Sequence, residues 1–329
     1  MGVVDKIPVP SRTTLRRLGI ASLAANIVII GTGGAVRLTD SGLGCPTWPR
    51  CTDQSFVVHS AMGMHGYIEF GNRLLTFVLG AIAIITWVAA MRYQPRRSSL
   101  RWLATLLALG IPAQAVIGGI TVLTDLNPWV VSLHLLSSLV IVALSVVFIR
   151  RVDEDDRPPR ATAAAPVVLL GRATFVSAWL VLYAGTVVTG SGPHAGDATS
   201  PRTGLDPETM SQLHSDLVFL LVGLTIGSLL VFRAVRAPER AQRAVVWLLG
   251  IEVAQGVVGF TQYFTDLPVP LVIVHMLGAA LVTAAATWLL VGLRSRGHPP
   301  LATTAAELSE PGWAIAQLES DRSGQVTRR

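Results

Sequence analysis

The stretch QAVIGGITVLTDLNPWVVSLH, residues 114–134, decides the fold, because it returns as QGVVGFTQYFTDLPVPLVIVH at residues 255–275. Each copy runs from a glutamine through an apolar, glycine-bearing segment to Thr-Asp-Leu and a proline, then enters a second apolar segment that carries a histidine. Gln114 to His134 and Gln255 to His275 are both twenty residues, and Asp125 to His134 and Asp266 to His275 are both nine. Two apolar segments joined by one turn, repeated without a gap, are a duplicated helix-loop-helix unit.

Working outward, the segments before each unit also correspond. IEFGNRLL at 68–75 aligns with MSQLHSDL at 210–217, which sets Asn72 opposite His214, and Thr39-Asp40-Ser41-Gly42 answers Thr189-Gly190-Ser191-Gly192. With 329 residues, 51% hydrophobic and 14% charged, the chain has far more apolar length than one soluble core uses. Eight stretches are long enough to cross about 30 Å of hydrocarbon. They lie near 18–38, 66–90, 102–122, 131–149, 173–190, 210–232, 244–264 and 270–292. The fold class is an all-α polytopic membrane protein. Four spans per copy is an even number, so both copies share one orientation, and the expected architecture is two four-helix bundles about a pseudo-twofold axis along the membrane normal. The organisation is an N-terminal bundle over 1–152, a linker over 153–166, a C-terminal bundle over 167–296 and a tail over 297–329.

The cations fix the expected orientation. Lys6, Arg12, Arg16 and Arg17 precede the first span, and Arg92, Arg96, Arg97 and Arg101 follow the second. Arg150, Arg151, Arg157 and Arg160 follow the fourth, Arg233, Arg236, Arg240 and Arg243 the sixth, and Arg294 and Arg296 the eighth. These connections alternate with cation-poor ones, which by the positive-inside rule puts both termini in the cytoplasm. The net charge of +6 is therefore topological. No basic stripe with interleaved aromatics marks a nucleic-acid surface. The N-terminus lacks the small-residue cleavage site of a signal peptide. The linker, with Asp153-Glu154-Asp155-Asp156 before Pro158-Pro159, reads as flexible, and the tail with His298 as poorly ordered and solvated.

Three spans carry a histidine just inside the same, outer face: His134, His214 and His275, with Asn72 at the fourth equivalent depth. An intramembrane imidazole is costly without a metal or polar partner. Depth-matched histidines on separate helices of one bundle can grip an iron from opposite faces of a porphyrin, and Gly256 and Gly259 would let backbone approach a flat ring. The alternative is that each histidine bridges helices by hydrogen bonds. In the N-terminal half an Asn72 amide is a poor iron ligand, so a haem on His134 keeps an open axial position. That assigns electron transfer to the C-terminal half and chemistry to the N-terminal half.

Glu69 lies one turn from both His65 and Asn72 and reads either as a proton relay beside a haem or as the ion-pair partner of Arg73. His65 is an alternative ligand or a loop residue; His59 and His194 read as loop residues. Cys45 and Cys51, on the outer side with five residues between them, read as a disulfide closing a small loop. Arg37, Arg50, Arg73 and Arg202 are the few outer cations, suited to haem propionates or to interfacial snorkelling.

Taken together, SGLGCPTWPRC at 41–51, IEFGNR at 68–73, TGSGPHAGD at 189–197, QLHSD at 212–216 and the two Gln…Asp…His units resemble the haem A synthase family over residues 15–292, in an actinobacterial-like form. The resemblance implies an eight-span enzyme of the bacterial cell membrane that oxidises the C8 methyl of haem O to a formyl group, giving haem A for terminal oxidases. It implies a resident haem b on His214 and His275, and substrate haem O in the N-terminal half with His134 as ligand. Asn72, His65 and Arg73 would line that site, Glu69 would take part in the chemistry, and the outer cysteine pair would be Cys45 and Cys51. Many members carry histidine where this chain has Asn72, so the substrate iron here has one such ligand or takes His65. The partners implied are haem O, haem O synthase, terminal oxidase assembly factors, an electron donor and membrane lipid. A dihaem cytochrome b-type carrier and a haem transporter are the alternative readings of the same histidines.

Overall fold

The computed structural model describes residues 9–297; Lys6, His298 and the tail beyond Gly297 lie outside the described residues. Among the described residues the chain forms eight long α-helices: α1 Arg12–Leu38, α2 Gly63–Arg92, α3 Ser98–Leu123, α4 Pro128–Val152, α5 Ala165–Ser191, α6 Pro207–Ala234, α7 Glu239–Phe264 and α8 Val269–Gly292. Even the shortest, α8 with 24 residues, is about 36 Å long at 1.5 Å per residue, enough to span a membrane. All eight are apolar enough to do so. The chain is a multi-pass membrane protein. Phe77, Trp102, Leu109, Phe219 and Trp247 stand on the outside of the helices, where a lipid-facing surface costs nothing.

Helix starts follow local chemistry. Asn127 accepts the Trp129 N–H at 3.0 Å with Pro128 at the first helical position, and Asp206 accepts the Thr209 N–H at 2.7 Å ahead of Pro207. These caps satisfy donors that a helix leaves free. The duplicated turns share one backbone. Asp125 and Leu126 have φ of 51° and 59°, Asp266 and Leu267 56° and 57°, and the Leu126 and Leu267 N–H groups donate to Thr121 and Gln262 carbonyls at 2.8 Å in both cases.

Helix α1 packs on α2 and α4, α2 on α3, and α3 on α4; the same set of neighbours recurs among α5 to α8, and α1, α4, α5 and α8 meet along the seam between them. Gly31 and Gly34 on α1 receive the side chains of Leu277 and Met276 from α8, the close helix approach that small residues permit. The Cys45 end of the molecule carries the long α1–α2 and α5–α6 connections, tied together where the Gly42 N–H donates to the Gly196 carbonyl at 2.8 Å.

The opposite end is more ordered than its composition suggests. Asp153 pairs with Arg12 and Arg16 at 2.8 and 3.3 Å, Glu154 with Arg150 at 2.7 Å, and Asp156 with Arg97 at 3.2 Å. Beyond them Arg160–Ala161 (β1) pairs antiparallel with Arg294–Ser295 (β2). The connection that reads as flexible in sequence is tied down because its acidic run faces the arginines of neighbouring helix ends.

Candidate functional site

The imidazoles of His214 on α6 and His275 on α8 face each other with ring centroids 6.5 Å apart and planes crossed at 73°. An ion held between two imidazoles at metal–nitrogen distances of about 2 Å separates the ring centroids by roughly 6 Å. The His214 Nδ1–H donates to the Val181 carbonyl of α5 at 3.1 Å, which fixes the tautomer and leaves the Nε2 lone pair free, the arrangement that orients metal-binding imidazoles. Nδ1 of His275 is buried without a partner. Glycines flank both rings: a Cβ at Gly185 would stand 3.2 Å from Cε1 of His214, and one at Gly259 3.6 Å from Cε1 of His275.

In the first half His134 on α4 lies against Gly118 of α3, where a Cβ would be 3.3 Å from its Cε1, and its Nδ1 is likewise buried and unpartnered. The residue after Gly118 is also occupied. The Trp48 ring, carried by the disulfide loop, rests on Gly119 so closely that no side chain fits there. Sequence reading gave Trp48 no role, since nothing in its spacing reveals which helix it covers. Asn72 is engaged: its Oδ1 accepts the Thr32 hydroxyl of α1 at 2.8 Å.

Cys45 and Cys51 form a disulfide, both fully buried. Glu69, 5% exposed, is turned into the loop they close. It accepts the Cys45 backbone N–H at 2.6 Å and the Arg73 Nε–H at 3.0 Å. Arg73 in turn donates to the carbonyls of Cys45, Thr47 and Arg50 at 3.0 to 3.1 Å. Glu69 and Arg73 thus form the ion pair that the i, i+4 spacing allows. His65 shares a hydrogen bond with the Ser41 hydroxyl at 3.0 Å. Thus His65, Glu69 and Asn72 do share one face of α2, but that face meets α1 and the loop after it.

The other arginines at the Cys45 end are committed to backbone. Arg37 donates to the His194 and Thr189 carbonyls at 2.8 and 2.9 Å, Arg202 to those of Gly192, Ser200 and Pro193, and Arg50 to that of Asp53 while lying over the Phe56 ring. They hold the loops through main-chain carbonyls. His194 is a loop residue whose Nε2–H donates to the Leu267 carbonyl at 3.2 Å.

A profile of the COX15-CtaA family, cytochrome oxidase assembly proteins, matches residues 16–287. The chain belongs to this family. Among its curated relatives, the heme A synthase of Bacillus mycoides (strain KBAB4) is 24% identical over 296 residues, 84% of this chain and 92% of the relative. That of Bacillus cereus (strain AH187) matches at 24% over 298 residues with the same coverage. The heme A synthase of Lysinibacillus sphaericus (strain C3-41) is 34% identical over a shorter region of 122 residues, 36% of this chain and 39% of that relative. Family membership and the eight spans agree with the resemblance that the motifs carry.

Proposed function

We propose that this chain is a haem A synthase, an oxidoreductase that converts the C8 methyl of haem O to the formyl group of haem A. The observation that carries the proposal is the His214–His275 pair at 6.5 Å, in a chain whose relatives bear that name over nearly their whole length. His214 and His275 would hold a resident haem b, which would supply one-electron transfer when bound there. Val181 keeps the His214 ring at the required tautomer, and Gly185 and Gly259 leave room for a flat macrocycle.

His134 would hold the iron of the substrate, haem O, with its ring set by Gly118. Asn72, held by Thr32, would give that haem no second imidazole, and Trp48, seated on Gly119 beside Gly118, would help keep water from the site. Glu69 acts as a positioning residue: with Arg73 it fastens the disulfide loop that carries Trp48. Matching neighbours among α1–α4 and α5–α8 support two bundles, 1–152 and 167–296, about a pseudo-twofold axis. The arginine distribution supports cytoplasmic termini and haem sites towards the extracytoplasmic side. The prenylated substrate arrives from lipid, so haem O synthase and oxidase assembly factors are the partners this reading expects.

The test is to extract haems from cells that express the chain together with a haem O supply. Formation of hydroxylated or formyl haem supports the reading, and an unchanged haem O mass overturns it. His134→Ala and His214→Ala should each lose a different haem; loss of the same one by both would refute the division between the halves.

A further inference from the structure

A carboxyl lies inside the second half of the molecule with no assigned task. Glu252 on α7 is 4% exposed; one oxygen accepts the Thr225 hydroxyl of α6 at 2.8 Å, and the other, Oε2, is buried without a partner. Its position is specific. Glu252 is seven residues from Gly259, the glycine facing His275, and Thr225 is eleven from His214. Seven and eleven residues are close to two and three whole helical turns, so both groups lie on the faces that present the histidines, about 10 Å and 16 Å along their helices at 1.5 Å per residue.

The first half supplies an internal comparison. The register that pairs Asn72 with His214 and Gln114 with Gln255 sets Ala83 at the place of Thr225 and Ile111 at the place of Glu252. Ala83 and Ile111 pack together in a small apolar cluster. The same packing slot is therefore polar and carboxylic only in the half that carries two histidines. An apolar pair there is structurally sufficient, and an unpartnered buried carboxyl oxygen costs stability, so the carboxyl has a use other than packing.

Resting on the reading that His214 and His275 hold a haem, we propose that Glu252 is the proton site linked to that haem's oxidation state. Glu252 binds one proton from water as one electron from a one-electron donor enters the bundle, and releases it when the electron leaves, so the net charge of the interior is conserved. Over such distances in a low-dielectric interior, charges interact with little screening. The proton is supplied from the end opposite the disulfide. Ser228, one turn beyond Thr225, shares a buried hydrogen bond with Thr174 of α5 at 3.0 Å on that side. Among the described residues, the titratable groups facing this interior from α6 and α8 are His214 and His275. On α7, Arg240 is engaged by the Gly292 and Arg294 carbonyls; Arg172 of α5 and Arg233 of α6 point outward.

The experiment is potentiometric titration of the purified, haem-containing protein with redox mediators at a series of pH values, on the wild type, Glu252→Gln and Thr225→Val. The wild-type midpoint potential should fall as pH rises, Glu252→Gln should lose that slope, and Thr225→Val should keep the slope but move its pH range. In infrared difference spectra of the wild type, a protonated-carboxyl C=O band should appear on reduction, a readout that stands even if Glu252→Gln fails to fold. A low-spin haem with a pH-independent potential, or equal slopes in wild type and Glu252→Gln, overturns the proton link alone. A wild-type preparation without a two-histidine haem spectrum overturns the haem reading and this proposal with it.

Discussion

The carboxylate of Glu69 accepts the backbone N–H of Cys45, so the second helix holds the disulfide loop by its main chain. Arg73 completes the clasp by donating to three loop carbonyls while paired to Glu69. Replacing Glu69 by Gln removes the charge from a nearly buried pair and weakens the bond to Cys45. Hydrogen bonds to charged groups contribute about 2 kcal/mol, so the Glu69→Gln protein should unfold at a temperature several degrees lower. Its Cys45–Cys51 bond should also become more accessible to a thiol reductant, read by alkylation and mass spectrometry; unchanged accessibility would count against the clasp.

Gly185 leaves His214 its place. A Cβ there would stand 3.2 Å from the imidazole, so Gly185→Ala should lower the haem content of the second half and Gly185→Val should abolish it. Soret absorption per mole of protein measures both. Full haem occupancy in Gly185→Val would place the second-half haem elsewhere.

Asn72 is held by Thr32 at 2.8 Å. Thr32→Val should cost about 1 kcal/mol and free the amide. If His134 holds the substrate haem as proposed, Asn72→His adds an imidazole and should move that haem towards a six-coordinate, low-spin spectrum in optical and paramagnetic resonance measurements. A spectrum identical to wild type would argue against an open position there.

Asp156 gives a prediction at the other end of the molecule. Partial burial pushes its carboxyl pKa up, but the hydroxyl and backbone N–H of Ser99, the Ser98 hydroxyl and the Arg97 guanidinium outweigh that and hold it down at about 2. A carboxyl with a lowered folded-state value adds stability that is fully present above its unfolded value of about 4 and is lost as pH falls through the folded one. Asp156→Asn should therefore melt below wild type by a constant margin above about pH 4, with the two converging near pH 2. Melting curves across that range check the sign.

The spans and their repeat were legible because length, hydropathy and equal spacing are properties of the chain itself. All eight helices fall where the apolar stretches predict, and His214 and His275 meet because their depths match on helices of one bundle. What the chain does not display is direction. Arg37, Arg50, Arg73 and Arg202 look like anion partners in sequence, yet each donates to carbonyls of loops whose path only the fold reveals. Trp48 was unreadable for the same reason, since its contact with Gly119 joins a loop to a helix some seventy residues away. Glu252 went unread although it is a carboxyl within an apolar span, because its place shows only once Thr225 lies across from it and Ala83 and Ile111 fill the matching slot.

The seating of Leu277 and Met276 over Gly31 and Gly34 has a mechanical consequence. Side chains lodged that deeply against bare backbone act as a spline: they cannot slip past one another without first separating the two helices. A carrier that rocks its halves to expose a cargo alternately to each side of the bilayer needs a sliding joint, and two seated side chains resist sliding here. Sliding α1 along α8 would therefore first require Leu277 and Met276 to lift off Gly31 and Gly34.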